Sequence, residues 1–415
     1  MVRDNAIDGV SYVWEPSEWP SAPQDMSWSQ LTSLETCPRR WALSNASYEQ
    51  IWDKKGYPRR NSIQQLKGLV VHNSIDALLT SLQSHGCYDP RSAEAVEILR
   101  GLGGYSEILH RAIENNMQMV VASPRMSLLH DHLQEKLENL IPDMRTIVSR
   151  KTALAYGSAG PLGVPDADGH ERIGERQGRL SYGIHSEVRL RVGDIGWMGD
   201  ADEIILTPDV CEIVDSKTGK QKQDHHDQLK TYAALWALDS VKNPEARLAN
   251  RLTLSYDGEE VSVEVPDQSQ IDQWVKDLES RTRAARKTLD SIPPPAIPSY
   301  ENCSVCPVKQ LCETYWDPEV QRSLTESPDV STNYVDAQLK LVRKLDFTTY
   351  EASVESGMAL TPNETIVLKS KSIDSKLTEG TRLRVNNVRL KNFEDEGRPK
   401  ELALTRWSER FILGS

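Results

Sequence analysis

Hydrophobic positions recur along this chain with two different periods. Over residues 29–44, Leu31, Leu34 and Trp41 fall at near-helical spacing, and Ser27 or Ser29 stands where an N-cap belongs, so the pattern predicts a helix bearing Cys37. Residues 61–83 repeat apolar side chains at three and four, predicting a second helix that places His72 and Asp76 one turn apart on one side and ends near Gly86. The helical pattern persists from 91 to 150 with a break around Pro124. Residues 157–178 are rich in Gly, Pro and Asp without periodicity, and are expected to be an exposed, mobile loop.

At Ser181 the period shifts towards two. Residues 182–192, 195–206 and 210–217 are short, β-branched and partly alternating, which predicts three successive strands. Residues 225–240 return to helical spacing, 251–256 and 259–265 suggest a hairpin, and 268–292 form a charged helix ending in Pro293-Pro294-Pro295. Further on, residues 317–334 are polar and are expected to be a linker. The block 335–415 alternates at 350–356, 364–371, 381–392 and 401–413, suggesting four or five strands in a small β-barrel of OB-like type. The domain plan is therefore 1–316 with a helical insertion at about 91–180, a linker at 317–334, and a barrel at 335–415.

Composition narrows the class. A chain of 415 residues with 38% hydrophobic and 27% charged residues has room for two or three domains, and it contains no apolar run of membrane-spanning length. The acidic, polar start does not read as a secretory signal, so the expected location is cytoplasmic, with no membrane partner. A net charge of −12 argues against coating nucleic acid through a general positive field; any contact with DNA must be local. The charge is uneven, because residues 331–415 carry 14 Lys+Arg against 12 Asp+Glu. Lys369, Lys371, Arg382, Arg384, Arg389 and Lys391 lie on its expected strands and offer a possible groove for single strands, with Phe347, Tyr350, Phe393, Trp407 and Phe411 as the available aromatics. The other reading of this block is a docking or stabilising appendage.

The chemistry centres on Gly199-Asp200-Ala201-Asp202 and, thirteen residues after Asp202, Asp215-Ser216-Lys217-Thr218-Gly219-Lys220, both at expected strand ends. Phosphodiester hydrolysis suits a hard divalent cation, and hard cations prefer carboxylate oxygens. Strand alternation puts Asp215 and Lys217 on one face, where an ammonium can orient water or offset charge on phosphate. Alone, an Asp-x-Lys triplet is equally a surface strand end.

In order along the chain stand Gly68-Leu69-Val70-Val71-His72, the Gly199–Asp202 and Asp215–Gly219 segments, and Gln228-Leu229-Lys230-Thr231-Tyr232. Around them lie Ser27-Trp28-Ser29 and Cys37-Pro38-Arg39-Arg40-Trp41 near the start, and Cys303, Cys306 and Cys312 at the end. This set resembles the RecB-like branch of the PD-(D/E)XK nucleases, shared by the RecB and AddB nuclease domains and CRISPR-associated RecB-like exonucleases. The resemblance implies an α/β restriction-endonuclease-like core with a mixed central sheet. It also implies that His72, Asp202, Asp215 and the Ser216 carbonyl ligate Mg2+ or Mn2+, with Lys217 positioning water; a histidine ligand favours manganese alongside magnesium. Gln228 and Tyr232, one turn apart, would face the DNA end or brace the lysine. Glu187, on the strand before, would add an outer contact to metal or water, or be structural.

Zinc also takes four thiolates, but usually from two nearby doublets, whereas Cys37 stands 266 residues before Cys303. That arrangement resembles the RecB-like iron–sulfur set, and implies a [4Fe–4S] cluster stapling the two ends of the nuclease domain. Cys87 and Cys211 are expected to be ordinary fillers. The reading is a metal-dependent DNA nuclease acting on single strands or DNA ends in repair, recombination or antiviral defence. The alternatives are a non-catalytic iron–sulfur scaffold subunit of a helicase complex and a nuclease that needs a partner. No Gly-x-x-x-x-Gly-Lys-Ser/Thr loop occurs, so a helicase or other defence or recombination subunit would be a separate chain.

Overall fold

A computed structural model describes residues 10–87, 92–157, 178–217, 221–256, 259–326, 333–370, 375–391 and 398–414. Apart from its ends, the loop expected at 157–178 lies outside the described residues, as do Thr218, Gly219, Lys220, Lys371 and Phe393. The chain begins with β1 (Val10–Tyr12) and continues into α1 (Trp28–Thr36) and α2 (Pro38–Asn45). The single helix expected at 29–44 is thus two. Pro38 disfavours helical backbone at the residue before it, and Cys37 is extended (φ −166°, ψ 104°), serving as C-cap of α1 and N-cap of α2. Ser27 starts α1 with a reciprocal capping box to Gln30.

Helix α3 (Ile63–Ser84) packs into a bundle with α4 (Ala93–Gly101), α5 (Gly104–Ala122), α6 (His130–Asn139) and α7 (Ile141–Gly157). Their shared core includes Leu66, Val70, Leu109, Ile113, Leu133, Leu137 and Met144. Residues 93–157 are largely helical, and α3, which carries His72 and precedes the insertion expected at about 91–180, packs in the same bundle.

The central sheet has the order β2 (Gly183–Val192), β3 (Trp197–Leu206), β4 (Cys211–Ser216), β5 (Arg251–Tyr256), β6 (Glu259–Val263). All neighbours are antiparallel except β4 and β5, which run parallel. A parallel pair needs a crossover, supplied by α8 (Gln223–Leu238). Helix α8 buries Leu229, Tyr232, Ala233, Leu235 and Trp236 in one core with Leu31 and Leu34 of α1, Trp197 of β3 and Leu278 of α9 (Gln268–Lys287). A hydrogen bond from Trp28 Nε1 to Asp224 Oδ1 (2.9 Å) ties α1 to the first turn of α8.

Three short helices follow, α10 (Tyr300–Ser304), α11 (Glu313–Trp316) and α12 (Pro318–Thr325), then β7 (Tyr334–Lys344), β8 (Thr349–Gly357), β9 (Thr365–Lys369), β10 (Arg382–Lys391), β11 (Glu401–Ala403) and β12 (Glu409–Ile412). The expected linker contains α12, N-capped by Asp317 and seating Leu324 beside Met358. Pairings β7–β8, β8–β9, β9–β11, β11–β10 and β10–β7 close a ring, with β9 and β11 parallel. The chain's first described strand belongs to this sheet, β1 pairing in parallel with β12.

The cations expected to form a groove here are largely neutralised within the sheet. Lys369 and Lys391 both hold Glu401, and Arg382 holds Glu355. Arg384 is buried, donating to the Glu313 carboxylate (2.7 Å) and the Gln310 carbonyl (2.7 Å). Among the described residues no helix is long and apolar enough to cross a membrane.

Arg125, from the loop after α5, links three regions. It makes two hydrogen bonds to Glu409 of β12 (2.8 and 2.9 Å) and one each to the carbonyls of Pro58 and Pro307 (2.9 Å). Replacing it leaves the Glu409 carboxylate buried with only Arg60, at 3.1 Å. Arg125→Ala is expected to cost stability near the lower end of the ~3–5 kcal/mol typical of a broken buried pair, measurable by denaturant unfolding.

Candidate active site

The register of the central sheet sets the site. Ser186 pairs with Glu203 and Val188 with Ala201, so Glu187 stands opposite Asp202; Glu203 pairs with Val214, so the next step along places Asp202 opposite Asp215. Past that point β4 leaves β3. The amide of Ser216 donates to the Asp202 side chain, Oδ2 at 2.6 Å, instead of to a strand carbonyl. On its other edge β4 stays paired with β5, and the Lys217 amide donates to the Ser255 carbonyl (2.8 Å).

Asp215 is 2% exposed, and its Oδ2 is a buried oxygen with no hydrogen-bond partner beyond the ion-pair contact of Lys217 Nζ at 2.6 Å. The same ammonium donates to Gln228 Oε1 (2.7 Å), and Gln228 Nε2 donates to Tyr232 Oη (2.7 Å). The two α8 residues therefore brace the lysine. Gly199 makes room for this chain, since a Cβ there would lie 2.7 Å from Tyr232 Cε1.

Burial and the neighbouring Asp215 push the Asp202 carboxyl up to about 6, with Glu187 adding to the repulsion. Burial also raises Asp215, partly offset by the Lys217 ammonium. The sheet edge thus gathers three carboxylates, Glu187, Asp202 and Asp215, around one lysine.

His72 meets the site from α3. Its Nδ1 lies 3.0 Å from Asp76 and its Nε2 3.1 Å from Glu187, and bonds to these two carboxylates push the imidazolium up to about 10. Both ring nitrogens are therefore occupied, so His72 reaches the aspartates through Glu187. Among the described residues no three His, Cys, Asp or Glu side chains are arranged to hold a metal ion. His225, at the start of α8, bonds Tyr256 Oη (2.8 Å) and feels both Lys217 and Asp215. Sequence reading missed it and Gly199's steric role; the spacing Gly199 to Tyr232 carries no signal until β3 and α8 are packed together.

The four cysteines line one cavity with Arg39, Arg40, Ile297, Lys309 and Tyr315. Burial pushes the Cys306 thiol up to about 12 and raises Cys303 and Cys312, each further raised by neighbouring cysteines. Cys87 and Cys211 are buried elsewhere in apolar surroundings, as expected.

The fold and the sheet-edge site define a nuclease-type α/β core with two in-register aspartates and a braced lysine. The sequence matches the PD-(D/E)XK nuclease superfamily over residues 25–313, and the chain belongs to that superfamily, whose members use divalent metals such as Mg2+. No curated protein matches it in sequence. Among solved structures, the crystal structure of SSO0001 is 19% identical, with 31% of this chain and 59% of that one covered at a TM-score of 0.19. The structure of a murine DNA-binding protein bound to double-stranded DNA is 10% identical, with 51% and 84% covered at a TM-score of 0.16. The chain spans 59% of the length of the first, and likenesses at such scores bear on neither fold nor activity.

Two outcomes are expected of this geometry. Gly199→Ala forces Tyr232 aside and should destabilise the protein by about 1–3 kcal/mol in denaturant unfolding. For Asp202, the folded carboxyl titrates near 6, above its ordinary 3.8, so its contribution is most favourable below the unfolded value and is lost as pH rises through about 6. In metal-free protein Asp202→Asn should therefore raise stability by roughly 1–2 kcal/mol at pH 7.5, a gain that fades as pH falls towards 4 in thermal melts.

Proposed function

We propose that this chain is a divalent-metal-dependent DNA nuclease of the RecB-like branch, hydrolysing phosphodiester bonds in single strands or at DNA ends, in repair, recombination or antiviral defence. Superfamily membership supports a nuclease, and the carrying observation is the in-register pair of half-buried Asp202 and buried Asp215 served by one braced ammonium. The residues fit a hard cation. Asp215 Oδ2 is buried and held by the Lys217 ammonium, and burial together with Asp215 disfavours ionisation of Asp202 until further positive charge arrives.

Asp202, Asp215 and the Ser216 carbonyl would hold Mg2+ or Mn2+, and His72 of α3 would join them only on giving up a proton and its Nε2 contact with Glu187. When bound, the cation polarises a phosphate oxygen and makes water more acidic. Lys217 is paired with Asp215, and its side chain can donate to an attacking water or to a phosphate oxygen that gains charge. The Tyr232–Gln228–Lys217 chain fixes that ammonium before substrate arrives, so no reorganisation is needed during the reaction. The products expected from the resemblance are a 5′-phosphate and a 3′-hydroxyl.

The cysteines are proposed to hold a [4Fe–4S] cluster, supported by their convergence on one cavity from distant parts of the chain. When bound, it would crosslink Cys37, between α1 and α2, to the segment around α10 and α11. The closed ring of β7, β8, β9, β11 and β10 supports an OB-like reading of the C-terminal strands. Unwinding activity would come from another chain, a helicase or another recombination or defence subunit.

The test uses anaerobically purified protein with an iron assay, and labelled single- and double-stranded DNA with Mg2+, Mn2+ or a chelator. Wild type is expected to cut only with metal, and Lys217→Ala to lose roughly 10²–10³-fold in rate. Cutting that survives chelation, or that Lys217→Ala retains at the wild-type rate, would sink the proposal. Silence from well-folded, iron-loaded wild type would favour a partner-dependent enzyme or a scaffold.

A further inference from the structure

Resting on the nuclease reading, which brings single strands to this chain, we propose that Trp407 and Arg406, in the turn between β11 and β12, form a stacking site for an unpaired DNA base and its phosphates. Among the aromatics of the C-terminal strands, Tyr350 and Phe411 are buried, whereas Phe347 and Trp407 are exposed. The cations beside Phe347 are engaged, Arg343 by Glu351 and Lys344 over the Tyr350 ring. Around Trp407 positive charge is in surplus.

Arg60 Cζ lies over the indole, 5.9 Å from its centroid, and the His132 ring of α6 meets it at a steep angle, with 5.4 Å between centroids. Glu409 is shared by two guanidiniums, Arg60 and Arg125, so that group keeps a net positive charge. Arg406 Nη1 donates to His132 Nδ1 (2.6 Å) rather than to an acid. Arg406, Arg59 and Lys136, the last one turn along α6 from His132, are exposed and have no carboxylate partner among the described residues. Helix α6 sets Glu135 against them, since Asp131 is bonded to His130 (2.9 Å). In a chain of net charge −12 this is a local excess of cations, the complement of a phosphate backbone.

The turn presents the ring rather than hiding it. The Trp407 amide donates to Thr405 Oγ1 (3.2 Å), and its carbonyl accepts from Arg60 Nη1 (2.9 Å) and Asn387 Nδ2 (3.4 Å). Ser408 Oγ accepts from the Thr405 amide (2.8 Å) and donates to the Asn387 carbonyl (2.7 Å), fastening the turn to β10. With its backbone so engaged, the residue's 40% exposure falls mainly on the indole, whose N–H meets no acceptor among the described residues. A surface tryptophan standing alone is ordinary. A rigid one under a guanidinium, with uncommitted cations beside it, joins the two elements that hold single strands: an aromatic face for bases and a basic track for the backbone. Base faces in a duplex are covered by their neighbours, so the site suits an unpaired strand.

Binding is measured on the full-length chain by fluorescence anisotropy of a labelled oligothymidine of about 15 nucleotides. A chelator is present, so no strand is cut, and a strand of the same length built of abasic sites is the control for charge. Trp407→Leu, which still fills the space beside His132, is expected to bind oligothymidine about tenfold or more weakly and to lose the preference over the abasic strand. Trp407→Phe, which restores a stacking face, is expected to recover most of both. Arg406→Gln is expected to weaken both strands and to lower the slope of log affinity against log salt by about 0.7. A tryptophan that merely packs against α6 would change the melting temperature and leave these affinities alone. Wild type that cuts with Mn2+, while Trp407→Leu and Arg406→Gln bind like wild type, overturns this inference and leaves the nuclease. No binding of oligothymidine by wild type also overturns it. Trp407-dependent binding by a protein that never cuts leaves this surface standing and counts against the nuclease reading alone.

Discussion

Two carboxylates facing each other on adjacent strands, with a single ammonium on one of them, set the terms for the rest of the nuclease core. Asp202 and Asp215 come together because β3 and β4 are consecutive antiparallel strands in fixed register, and the Asp202 side chain takes over the Ser216 amide where the strands part. Such a pair resists ionisation and weakens the fold at neutral pH. The surrounding structure holds it in place. The parallel β4–β5 pairing anchors the Lys217 backbone, and the crossover that this pairing requires delivers Gln228 and Tyr232 to the ammonium. Gly199 then has to lack a side chain, because Tyr232 lies against β3 at that point.

A second set of buried polar contacts joins the cysteine segment to the C-terminal sheet. Tyr315 Oη donates to Asp336 Oδ2 (2.6 Å), Lys309 pairs with the same carboxylate (2.6 Å), and Arg384 lies over Trp316 while holding Glu313. Arg125 completes the arrangement from the helical bundle. The walls of the cysteine cavity are therefore also the seat of the C-terminal sheet, Lys309 and Tyr315 serving both.

Much of this was legible in the sequence, for identifiable reasons. The strands from 182 to 217 and the helix carrying Gln228 have clean periods because each buries one face against the same core. The break at Cys37 was also there to be read, since proline inside a helical pattern ends it, yet the apolar spacing on both sides masked it. Long-range pairing was not legible. Three residues of β1 carry no sign that they will pair with β12 some 400 positions later, and the charges of β7 obscure its alternation. Lys369, Lys391 and Arg382 read as a basic surface until the sheet places Glu401 and Glu355 beside them. Glu187 was visible as an acid on the right strand, but its place in a row with Asp202 and Asp215 exists only once three strands are aligned.

The same pairing of charges bears on how an acidic chain would approach a polyanion. With a net charge of −12 and the C-terminal cations engaged by their own carboxylates, the protein has little free positive field to offer a phosphate backbone. At the sheet edge the acids outnumber Lys217, so without a cation the site repels the group it is proposed to cut. A bound divalent ion reverses that balance locally, and its loading and substrate binding then become linked: each makes the other more favourable, by the same factor. In the proposed site the cation would therefore supply affinity as well as chemistry.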